Sequence, residues 1–219
     1  MKNRLFKTKK LLALLLALIL ALTCVACANT LEEDDDGEGA TKKVELSRGK
    51  IDGNVYENEY LGFKFTKPES WVYSTDEEIA EVLNIGAEMI LGDNFSEALK
   101  NSTSIYDMMV VDPATGTNIS IGYENLSKTQ SIGITEEEYI EALESQLEHV
   151  SAVQIVFPDE LDTVRLGNVE FTRAICTTTT SGVSMSQTYY LRKTEGYMAF
   201  VIVTIPSGYT VTRIESMFK

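Results

Sequence analysis

Few residues in this 219-residue chain carry side chains suited to nucleophilic or metal chemistry. There is one histidine, His149, and there are three cysteines, Cys24, Cys27 and Cys176. An ordinary zinc site draws three or four ligands from Cys, His and carboxylates, and one histidine with one distal cysteine does not supply it. A Cys–His nucleophile pair would have to join His149 to Cys176. His149 falls near the end of an expected helix, where the helix dipole favours a cation. Cys176 falls in a strand-like run over 171–178, where a free cysteine is expected in the core. The nucleophile elbow Gly-x-Ser-x-Gly, the Walker loop and Gly-x-Gly-x-x-Gly do not occur in the sequence. Ser70 has no partner in the sequence pattern, and the neighbouring Trp71 is expected as a core anchor.

Carboxylates are the abundant reactive type. Aligning Gly37 with the turn glycine of an EF-hand loop puts Glu32, Asp34 and Asp36 at ligand positions. The twelfth position is then Lys43, where a bidentate Glu is required, and the site fails. Beyond the run Glu136-Glu137-Glu138, the residues Glu137, Glu141, Glu144 and Glu148 recur at spacings of three and four and share one helix face. They read as a solvated stripe able to attract cations. The sequons at Asn94, Asn101, Asn118 and Asn125 are what chance gives a Ser/Thr-rich chain. No catalytic, cofactor-binding or metal site is expected.

The two N-terminal cysteines stand in a different context. Residues 1–10 are basic and 11–21 are an unbroken apolar run, which is the layout of a secretory signal. From Leu11 to Val25 the apolar stretch is 15 residues, against about 20 for a helix that spans the hydrocarbon core. The closing residues Leu22-Thr23-Cys24-Val25-Ala26-Cys27-Ala28-Asn29 resemble the lipobox of bacterial lipoproteins. That resemblance implies a cysteine that is acylated and becomes the first residue of the mature chain. Cys27, after Val25-Ala26, fits better than Cys24, after Leu22-Thr23. The position three before Cys27 holds Cys24 where Leu is usual. A diacylglycerol thioether carries two acyl chains, which anchor stably where one is marginal. The expected location is the extracytoplasmic face of a cell membrane, inner or outer left open.

Removal of residues 1–26 takes away five basic side chains and no acidic one, leaving 14 basic against 33 acidic and a net charge of −19. Such a surface repels phosphate backbones and excludes a nucleic-acid role. Residues 27–48 hold the acylated cysteine and an acidic stretch from Glu32 to Glu38, a like-charge block expected to act as a flexible spacer. Residues 49–219 are expected as one domain, with enough chain to bury a core without disulfides; once Cys27 is acylated, Cys176 has no partner for one.

The elements of that domain follow from periodicity. Phe63 and Phe65 alternate with polar residues as a strand does, and Pro68 starts a turn before Trp71. Residues 76–91 read as a helix capped by Ser74, Thr75 or Asp76, with Ile79, Val82, Leu83, Ala87 and Ile90 on one face. Residues 106–111 and 117–123, joined by Asp112-Pro113-Ala114-Thr115-Gly116, read as a hairpin. Thr135 and Glu138 form a capping box for a second helix whose apolar face is Tyr139, Ile140, Leu143, Leu147 and Val150. Strands are expected over 152–157, 163–166, 169–179, 184–193 and 197–205, the last three as an antiparallel meander. Residues 210–219 read as a closing amphipathic helix. The fold class is α+β, an antiparallel sheet of about six or seven strands with packed helices.

The segment Val55-Tyr56-Glu57-Asn58, Leu61-Gly62-Phe63-Lys64-Phe65 and Pro68-Glu69-Ser70-Trp71 resembles the start of PsbP-like domains, named for an extrinsic protein of photosystem II. The resemblance covers most of residues 51–219 in element order, and implies an α/β/α sandwich. It carries no single activity, because the family hosts unrelated ones. Three functions are consistent with the sequence. The first is a membrane-tethered binding or accessory module for a protein or small ligand. The second is an envelope enzyme acting on cell-wall polymer through paired carboxylates, and the third is a structural lipoprotein without ligand. Close acidic pairs with raised pKa values would mark the enzyme.

Overall fold

A computed structural model describes residues 46–83, 95–148 and 153–219 of the chain. It begins with three short strands, β1 (Lys50–Asp52), β2 (Val55–Asn58) and β3 (Phe63–Thr66), which form their own antiparallel sheet. Strand β4 (Val72–Tyr73) and helices α1 (Asp76–Leu83) and α2 (Phe95–Asn101) follow. A hairpin of β5 (Ser104–Val111) and β6 (Asn118–Asn125) leads to helix α3 (Glu136–Leu147). The chain closes with β7 (Val153–Val156), β8 (Asp162–Leu166), β9 (Val169–Thr180), β10 (Val183–Thr194), β11 (Tyr197–Ile205) and helix α4 (Val211–Glu215).

The second sheet has eight strands in the order β4-β5-β6-β11-β10-β9-β7, with β8 pairing the first part of β9. All its pairings are antiparallel. The β9–β10–β11 meander is set by two tight turns. In the first, Ser181 and Gly182 both lie in the left-handed region at φ 51° and 77°, matching the strand twist as a two-residue hairpin requires. The β5–β6 turn is held by Asp112, whose Oδ1 accepts from Ala114 N at 2.9 Å.

Each face of the large sheet carries its own core. On one face lie the small sheet, α2 and α4, burying Tyr56, Phe63, Phe65, Trp71, Leu99, Tyr190 and Phe218. On the other, Ile79 and Ala80 of α1 and Tyr139, Ile140, Leu143 and Leu147 of α3 pack on Tyr106, Met109, Cys176, Tyr189 and Phe200. The fold is α+β, as its alternation predicts. The strand number exceeds expectation by β1, β2 and β4, which are three, four and two residues long, too short to display a clear period.

The C-terminus departs from a simple helix. Helix α4 ends at Glu215, and the next residues pair with the free edge of β3. Thr66 N donates to Met217 O at 2.9 Å, and Lys64 and Lys219 exchange two backbone bonds of 2.8 Å. Phe218 lies 5.3 Å from Phe63 and 5.0 Å from Phe65, centroid to centroid. Strand pairing with these ring contacts outweighs continuing the helix. The signal segment, Cys24, Cys27, the acidic stretch, Ala87, Ile90, Val150 and His149 lie outside the described residues.

Candidate functional site: a buried carboxylate cluster and a bare strip of sheet

Asp107 sits inside the apolar strand β5 and is 1% exposed. The β5–β6 register runs from Tyr106 opposite Gly122 directly to Met108 opposite Ile121, so Asp107 is the extra residue of a β-bulge. The bulge turns its carboxylate toward the small sheet. There it accepts from Tyr56 OH at 2.6 Å, from Asn58 Nδ2 at 2.8 Å, and from Gly49 N at 3.0 Å and 3.1 Å. Arg48 Nε stands 3.7 Å away, while the same guanidinium grips Asp76 through two hydrogen bonds, one of them 2.8 Å. Asn58 completes the cluster by donating to Tyr123 OH at 2.8 Å and accepting from Leu61 N at 2.7 Å.

Gly49 is required here for close approach: a Cβ would meet the Tyr56 ring at 2.3 Å. Burial pushes the Asp107 carboxyl up to about 6, against the opposing pull of Tyr56, the Gly49 amide, Arg48 and Asn58. Tyr56 and Tyr123 are also pushed well above their usual values, by burial first and by the Asp107 charge second. Perturbed groups of this kind mark functional sites or structural networks. In this one both carboxylate oxygens are engaged by protein donors and the side chain is fully covered. The cluster therefore fastens the first described residues and the small sheet onto the large one.

The opposite face holds a second buried acid. Glu124 accepts from Tyr139 OH, and burial raises its carboxyl above the usual range. Glu124 and Asp107 lie on opposite faces of the large sheet, so they form no acid pair. Nearby, Gln187 Oε1 accepts from Thr178 Oγ1 and Tyr189 OH, both at 3.0 Å. Burial, with Glu144 adding a smaller push, raises the Cys176 thiol to about 12, which leaves it protonated and inert at neutral pH.

Among the described residues, one part of the large sheet is left uncovered. On the face that carries α4, the cover stops at Arg173, which bonds Asp162 and Glu215; Tyr190 OH also donates to Glu215, at 3.0 Å. Beyond that line the registers of β7, β9 and β10 put Gln154, Val156, Ile175, Thr177, Thr179, Ser184 and Ser186 side by side. Val156 is 67% and Ile175 42% exposed. Thr179 and Ser184 share a hydroxyl contact of 2.8 Å. None of these seven residues is charged, in a chain of net charge −14.

Of the residues that the sequence singles out, Cys176 and Trp71 are buried, and Trp71 Nε1 donates to Tyr209 OH at 3.0 Å. Glu137, Glu141, Glu144 and Glu148 line the exposed side of α3 and its C-cap. Ser70 and Asn101 are exposed, Asn118 and Asn125 are buried, and Asn94 lies outside the described residues. Asn125 Nδ2 donates to Leu99 O at 3.0 Å. Sequence reasoning missed Asp107, although a lone Asp within Ile105-Tyr106-Asp107-Met108-Met109 was a readable signal. It also missed the bare strip, whose Thr-rich pattern suits a covered face equally well.

No protein-family model matches the chain, and no curated protein matches it. A solved structure from Bacteroides thetaiotaomicron VPI-5482 is similar at 12% identity with a TM-score of 0.39. That likeness covers 78% of this chain and 47% of the other, so this chain spans about half the length of the structure it matches. A likeness of this degree carries no argument about function.

Proposed function

We propose that the chain is a lipid-anchored, extracytoplasmic binding or accessory module of PsbP-like type, acylated at Cys27 and held off the membrane by residues 28–48. The observation that carries the binding role is the bare strip on β7, β9 and β10. Depletion of charge is what distinguishes the centre of a protein interface from ordinary surface. The seven adjacent residues carry no charge on so acidic a chain, and two of them, Val156 and Ile175, expose apolar side chains. The carboxylate-enzyme reading gains no support from Asp107 and Glu124, which are buried on separate faces. The lipobox resemblance supports the tether, and the acidic spacer supports a domain free to meet partners near the headgroups.

The tether is tested by metabolic labelling with radioactive palmitate and by membrane fractionation of wild type, Cys24→Ala and Cys27→Ala chains. Label and membrane retention are expected in the first two and lost in Cys27→Ala. A Cys27→Ala chain that still takes up label and is processed normally contradicts the assignment.

A further inference from the structure

Strand β7 ends the large sheet and pairs β9 alone; among the described residues no strand pairs its outer edge. A strand at a sheet edge leaves every second residue's N–H and C=O turned outward, a template for another chain. Natural edges are guarded by shortness, by charged side chains, by Pro or by bulges; Val153-Gln154-Ile155-Val156 is short, at four residues, but contains no charge, no Pro and no bulge. Strand β8 occupies the neighbouring stretch of the same side of β9, and among the described residues its outer edge is also unpaired, but it carries the charged residues Asp162 and Arg165, which β7 lacks. We propose that β7 receives an extended basic segment of a partner as an added antiparallel or parallel strand. This deepens the binding-module reading and rests on it.

The chemistry of the visitor follows from what borders the two sides of the edge. Side chains alternate across a strand with period two. One set would extend the uncharged row of Gln154, Val156, Thr177 and Ile175. The other set would join Val153 and Ile155 on the side of α3, which packs against β7. That side is acidic: Glu141, Glu144 and Glu148 are exposed on the helix, and Asp159 and Glu160 are exposed just after β7. Complementarity thus asks for Lys or Arg alternating with uncharged β-branched residues. A second copy of this chain would instead bring acid against acid, at a net charge of −14 per copy.

The test uses the full-length chain in mild detergent with three synthetic eight-residue probes: alternating Lys–Val, alternating Glu–Val, and the Lys–Val probe with a central Pro. Binding is read by fluorescence anisotropy, and its place by hydrogen exchange of amides 153–156. The expected result is binding of the Lys–Val probe alone, with slowed exchange confined to those amides. Glu141→Lys with Glu144→Lys, both on the solvent side of α3, should weaken it at least about tenfold. Ile155→Pro should abolish it, with circular dichroism confirming the fold. Absence of Lys–Val binding, equal binding of Glu–Val, protection elsewhere, or indifference to the two Glu→Lys changes overturns the proposal. So does a dimer, seen by sedimentation, that Ile155→Pro dissolves. If the probes fail while Ile175→Glu still strips a partner from the purified chain, the edge proposal falls and the binding module stands. If Ile175→Glu strips nothing either, both fall.

Discussion

A carboxylate inside an apolar strand, as Asp107 is between Tyr106 and Met108, must either find donors or drop its charge. Asp107 finds Tyr56, Asn58 and the Gly49 amide, yet burial still holds its carboxyl at about 6, above the ordinary 3.8. The folded state therefore keeps a proton that the unfolded state releases, and stability from this group is present at acid pH and lost as pH rises through about 6. The difference amounts to about 3 kcal/mol. In Asp107→Asn that pH dependence should vanish. The variant should be weaker than wild type by about 1–3 kcal/mol near pH 4, where its amide opposes the Gly49 donor. By pH 7.5, where wild type has lost about 3 kcal/mol that the variant never had, the gap should close or change sign, as read from urea unfolding at both values. An unchanged gap would show that Asp107 does not titrate in this window. The signal was legible in the sequence as an out-of-place Asp, but its partners are 49 to 58 residues away, a separation that no local pattern reports.

Elements with a full period could be read directly. Helix α3 carries the Thr135–Glu138 capping box, with Glu138 N donating to Thr135 Oγ1 at 3.2 Å and Thr135 N to Glu138 Oε2 at 2.9 Å. It buries Tyr139, Ile140, Leu143 and Leu147, four of the five residues expected on its apolar face. Thr135→Ala should cost about 1 kcal/mol and Leu143→Ala about 2–5 kcal/mol. The closing helix was over-read because Val211, Ile214, Met217 and Phe218 fit a helical period, while the pull of the β3 edge on residues 217–219 is tertiary and invisible locally. Gly122 shows a further constraint that sequence hides. Opposite the bulge, an added Cβ would meet Ile105 O at 2.4 Å and the Phe200 ring at 2.5 Å. Gly122→Ala should destabilise the fold by about 1–3 kcal/mol, read from urea unfolding, and a neutral result would mean that the bulge relaxes to make room.

At the scale of the whole molecule, the described residues form an acidic domain that packs a core on each face of a large sheet and leaves one strip open near an edge. The α+β class was legible because alternation and turn residues mark strands singly. The strip was not, because covered and bare faces carry the same Thr and Val residues, and only the extent of α4 and the small sheet decides between them. The central claim is that this strip meets a partner at the membrane surface. The most direct measurement places a photo-crosslinking amino acid at position 175 in the full chain, irradiates cells, and compares it with the same group at Ile132, which is 59% exposed elsewhere. A discrete adduct is expected from position 175, absent from position 132 and lost when Cys27→Ala removes the tether. No adduct at 175, or one of equal yield at 132, would contradict the account.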